Sequence, residues 1–119
     1  MWAGCQPLRW GAGQLALVQN GNAVMRRTGL QRVALCADDA LISDYTAHNM
    51  HTVIANALTH EQDEGVREAL YACIKQLAQT VSRRAWLKQH RLQHAVQAVA
   101  GQEANAQLQL AAMDCLSAM

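Results

Sequence analysis

The sequence predicts an all-α protein: a small helical bundle of about three main helices, preceded by an irregular or weak-hairpin N-terminal segment. Three observations carry this. Of the 119 residues 51% are hydrophobic, yet Phe is absent and only three Trp and two Tyr occur. Small and straight-chain residues favour close-packed helices, whereas strands draw on β-branched and aromatic side chains. The single Pro is Pro7, so nothing after it forces a helix to break. Apolar residues recur at three- and four-residue spacing through most of the chain beyond Asp39. A chain of 119 residues is the size of one domain and can bury a core without staples. Residues 1–37 are expected to be weakly structured and residues 38–119 to form the bundle.

Residues 1–13 carry Gly, Trp and Pro without a period and read as irregular. In QLALVQNGNAVMRR (14–27), Asn20-Gly21 separates two short apolar runs. Asn-Gly is the strongest short hairpin signal, because both residues tolerate positive φ. The Ala- and Gln-rich flanks suit a loop and a short helix equally well. Asp38-Asp39 marks a helix start, where carboxylates cap free N–H groups and face the positive end of the dipole. From Ala40 to about His60, Ile42, Tyr45, Met50, Val53 and Ala57 share one face. EQDEG then reads as a break, with Gly65 as the stop.

Val66 opens the longest pattern. Val66, Leu70, Cys73, Ile74, Leu77, Val81 and Ala85 form a stripe, and Leu92, Ala95, Val96 and Val99 continue it until Gly101. A last helix from about Gln102 places Ala104, Leu108, Ala111, Ala112, Cys115 and Met119 on one face. The stretch SRRAWLKQHRLQH (82–94) interrupts the stripe. In one straight helix, Arg84, Lys88 and Arg91 would fall at its centre, and desolvating three unpaired cations costs several kcal/mol each. The helix must bend near Ser82–Arg84, or run past its core and use another face.

The formal net charge is +1, so no global field steers the chain to nucleic acid or anionic lipid. The charges are segregated all the same. Asp38, Asp39, Asp44, Glu61, Asp63 and Glu64 precede Arg67, Lys75, Arg83, Arg84, Lys88 and Arg91. Acidic and basic segments side by side suggest pairing, within one chain or between two. No run of eighteen apolar residues is present, so no membrane span is expected. The N-terminus lacks the basic and apolar regions of a signal peptide. Cys5 follows Ala-Gly as at a lipoprotein cleavage site, but no apolar run precedes it. The four Cys (5, 36, 73 and 115) form no CxxC pair, which points to a reduced, cytoplasmic chain.

Arg83, Arg84, Lys88 and Arg91 around Trp86 could bind nucleic acid, with the indole stacking on a base. Near-neutral charge and the lack of any helix-turn-helix, zinc-finger or RNA-binding signature favour a solvated face instead. His48 and His51 follow Asp44 at helical spacing, and His90 and His94 form an i, i+4 pair. Two facing helices could complete a metal site from these four His. The competing reading is an exposed Asp44–His48 helical pair and solvated imidazoles. Catalysis needs a nucleophile, a base and an oxyanion donor, and no such set is legible. Gly11–Gly13 is too short for a phosphate loop, and Cys73 and Cys115 read as buried small hydrophobes. No enzyme and no cofactor are expected.

DDALISDY (38–45), VREAL (66–70) and RRAWL (83–87) resemble, in their order, the helix pair of the spore coat protein F family. The resemblance covers roughly residues 38–87 and implies a ferritin-like bundle without established catalysis. This chain departs from the family in a longer loop before VREAL, a helix about two turns shorter after it, and the absence of a Gly and Tyr flanking the Trp.

The function expected is protein–protein contact by a non-enzymatic helical protein. Its partner would be itself or another helical protein, with nucleic acid disfavoured and no membrane. The interface is expected at Leu70, Ile74, Leu77 and Val81 on the long helix and Leu108, Ala111 and Cys115 on the last. Two alternatives are a metal-binding ferritin-like bundle using His48, His51, His90 and His94, and nucleic-acid binding through 83–91.

Overall fold

Side-chain caps start half of the α-helices among the described residues. The computed structural model describes residues 12–119, and no strand occurs among them. Eight α-helices occur there: α1 (Ala12–Asn20), α2 (Ala23–Leu35), α3 (Ile42–Ala47), α4 (Met50–His60), α5 (Glu64–Leu77), α6 (Val81–Gln89), α7 (Leu92–Ala100) and α8 (Ala106–Ala118). A 3-10 turn at Asp39–Leu41 precedes α3. Asn22 accepts from Met25 N at 2.9 Å, Asp63 from Val66 N at 3.0 Å and Asn105 from Gln107 N at 2.7 Å. Thr80 Oγ1 accepts from Arg83 N at 3.3 Å. Each bond satisfies a donor that the first helical turn leaves open.

The all-α class is thus observed, but a bundle of about three main helices is not. Two of the expected long helices are cut at residues that are neither Gly nor Pro. Asn49 (φ 56°) separates α3 from α4, and Arg91 (φ 62°) separates α6 from α7. Both adopt the left-handed conformation, which Asn tolerates and Arg rarely takes. A third cut lies at Ala78–Thr80, where Thr80 caps α6. The bend expected at Ser82–Arg84 therefore falls a turn earlier, and Val81 emerges 73% exposed.

The weak hairpin and irregular segment expected before residue 38 are also corrected over the described residues: Ala12–Asn20 and Ala23–Leu35 are helical. The earliest residues of that expectation, with Cys5, lie outside the described residues. Asn20-Gly21 serves as a helix–helix joint, Gly21 N–H donating to Leu17 O at 3.0 Å, and Asn22 caps the next helix. Gly21 does not adopt positive φ, so no hairpin turn forms. The Ala, Leu and Gln flanks prevail over the turn dipeptide. Gly29 then lets α2 lie tight on α1. A Cβ there would meet Gln14 O at 2.8 Å and Val18 Cγ2 at 2.9 Å.

The helix contacts close into a ring, α1–α2–α5–α8–α7–α4 and back to α1, with α4 also touching α5 across it. Its interior is one apolar core. Leu15 and Val18 come from α1, Leu30 and Val33 from α2, Met50, Ile54 and Leu58 from α4. Among those from α5 are Val66, Leu70, Cys73, Ile74 and Leu77, and α7 and α8 add Leu92, Val96, Leu108, Ala112 and Cys115. The core therefore runs across residue 37 without a boundary.

Candidate functional site

The basic stretch at 82–94 is partly structural. Arg83 is only 7% exposed. Its Nε donates to Leu77 O at 2.9 Å and its Nη2 to Gln76 O at 3.2 Å, so the guanidinium caps the open carbonyls of α5. Its Nη1 meets Asp39 Oδ1 at 3.0 Å, and Thr80 Oγ1 donates to the same oxygen at 2.6 Å. This is one pairing of the acidic segment with the basic one, made within the chain. Arg84 is half-buried, while Lys88 and Arg91 stand exposed. Trp86 is 4% exposed, and its indole Nε1–H donates to Thr46 Oγ1 at 2.9 Å. It joins α6 to α3, with its ring 5.7 Å from that of Tyr45, and offers no face to a base.

Two of the four His considered as ligands come together. The imidazoles of His51 and His90 stack, centroids 4.0 Å apart and planes 28° apart. Trp86 lies against both, at 6.0 and 5.2 Å. His51 Nδ1 is buried without a hydrogen-bond partner. Burial, then the neighbouring His90, pushes the His51 pKa below its ordinary 6.5. The ring also sits in the first turn of α4, where the dipole disfavours a proton. His48 and His94 are exposed. Imidazole lone pairs lie in the ring plane, so the stacked pair does not aim at one point. Among the described residues, no three His, Cys, Asp or Glu side chains are grouped to hold a metal ion.

Most of the residues expected at an interface are occupied internally. Leu70, Ile74, Leu77 and Cys115 are fully buried and Leu108 nearly so, all in the chain's own core. They share a stripe because α5 and α8 face each other within one molecule. Only Val81 and the half-buried Ala111 reach the surface. Burial pushes the Cys73 and Cys115 thiols up to about 12, which keeps them protonated and inert.

Sequence reasoning missed two features. The first is a buried polar cluster at the end of the ring. Arg67 grips Glu103 through Nε at 2.9 Å and Nη2 at 2.7 Å, while its Nη1 reaches Leu58 O at 2.9 Å and Glu61 O at 3.0 Å. Tyr71 donates its hydroxyl to the same carboxylate. Burial and this bond push the Tyr71 phenol up to about 12. Every polar group here is satisfied, so the cluster fastens α5 to the loop before α8. The second is a groove of about 840 Å3 between α2 and α5, with Ala34, Leu35, Ala69 and Ala72 among its lining. Leu35 is 69% exposed. The available signal was that Val24, Met25 and Leu35 are apolar yet lie outside the buried set of Gly29, Leu30 and Val33 on the same helix.

Compared with known proteins, the chain matches no family model, no curated protein and no solved structure. The resemblance to the spore coat protein F family rests on its three short segments alone.

Proposed function

We propose that this protein works by protein–protein contact, without catalysis, in the cytoplasm. The observation that carries the reading is the outer face of α2 and α8. Both helices turn one face into the core, yet leave large apolar side chains in water: Val24, Met25 and Leu35 on α2, Leu110 and Met113 on α8. Scattered apolar residues are ordinary on a surface, but several on two helices of a small chain mark a contact face. The partner is a second copy or another helical protein, since apolar helix faces are covered best by helices. The test compares the purified protein with the protein in its native extract by size exclusion. A species larger than the monomer in the extract is expected. A monomer in both, even after chemical cross-linking, overturns the reading.

A further inference from the structure

We infer that the α2–α5 groove is a self-association site, whose occupant is the same groove of a second copy of this chain. The inference rests on the contact reading above and names its partner. Three observations point to a copy. The groove and the residue fit to fill it lie on one face: Leu35 projects 69% exposed beside a floor of Ala34, Ala69 and Ala72. A two-fold axis then seats each Leu35 on the other copy's floor, which is the self-complementarity an isologous interface needs. The floor is built of Ala, so a helix can approach closely, as ridges enter grooves between packed helices. The rim is of mixed sign. Arg27 on α2 and Glu68 on α5 are both exposed, and neither takes part in an ion pair among the described residues. A surface carrying one uncommitted cation and one uncommitted anion finds both counter-charges on its own copy. Gln31 and Gln76 complete the rim and can exchange side-chain amide hydrogen bonds.

The experiment is the solution mass of the purified full chain by light scattering over a range of concentrations, with melting recorded for each variant. The wild type is expected to reach the dimer mass. Leu35→Asp is expected to be monomeric with an unchanged melting temperature, because residue 35 leaves the monomer core untouched; Ala72→Asp serves as a second variant of the same kind. Arg27→Glu makes the rim uniformly acidic and should weaken the dimer at least about tenfold, in the range for charge juxtaposition at an interface. Adding Glu68→Arg to it restores mixed sign and should restore the dimer. A wild type that stays monomeric at every concentration overturns the inference, as does a dimer that both Leu35→Asp and Ala72→Asp leave intact. If the purified chain is monomeric but elutes larger in native extract, the contact reading stands and the copy is not the partner.

Discussion

The guanidinium of Arg67 and the carboxylate of Glu103 meet at 2.7 Å with their side chains 11% and 8% exposed, tying the first turn of α5 to the loop before α8. Removing one partner strands the other charge inside the protein. Arg67→Met should therefore cost about 3–5 kcal/mol of unfolding free energy. Replacing both, Arg67→Met with Glu103→Leu, should cost clearly less, because no buried charge remains. Urea unfolding of the three proteins measures this. Equal losses in the single and double variants would show that the pair acts otherwise.

Arg83 is expected to behave as a helix cap. Lys cannot reproduce its fork over Leu77 O, Gln76 O and Asp39, so Arg83→Lys should lose about 1–3 kcal/mol. Lys88→Ala, on the exposed face, should leave thermal unfolding within about 0.5 kcal/mol of wild type.

Stability should fall with acid in two stages. The His51 pKa is depressed in the folded protein, so the unfolded chain takes up its proton first. The contribution is whole above the ordinary 6.5 and is lost as pH falls through the folded value. The second stage belongs to Glu61 and Glu103. Burial alone would raise both carboxyls, but the Arg26 bond at Glu61 and the Arg67 and Tyr71 bonds at Glu103 hold them below 4.5. Their contribution is whole above 4.5 and is lost as pH falls through the depressed values. Urea midpoints taken across this range should show both stages in wild type and only the lower one in His51→Gln.

Gly29→Ala should destabilise by about 1–3 kcal/mol, the usual range for forcing atoms into a filled space. The added methyl meets the α1 backbone and Val18. Gly13→Ala, with nothing near its added carbon, provides the control and should be neutral or slightly stabilising. Calorimetric melting of both variants separates a packing role from a helix-propensity effect.

What could be read in advance follows from how local each signal is. The faces of α4 and α5 were legible because period alone places Met50, Val53, Leu70, Ile74 and Leu77 inward, and all are buried. The register break around Arg84 was legible because cations cannot follow an apolar stripe. The elbows at Asn49 and Arg91 were not, since no Gly or Pro announces them. Asp63 was read as part of a break, although it caps α5, and Gly65 sits inside that helix. The candidate contact face escaped for a different reason. An apolar stripe says that a residue is covered, and it does not say by which chain; α5 and α8 cover each other.

The place of α5 in the ring has a consequence for how the protein is made. α2 lies mainly against α1 and α5, yet residues 64–77 leave the ribosome well after residue 35. At synthesis rates of about 5–20 residues per second, the apolar side of α2 waits several seconds for its cover. During that time the side of α2 that α5 will cover stays open to water, so the ring can close only after α5 has been made.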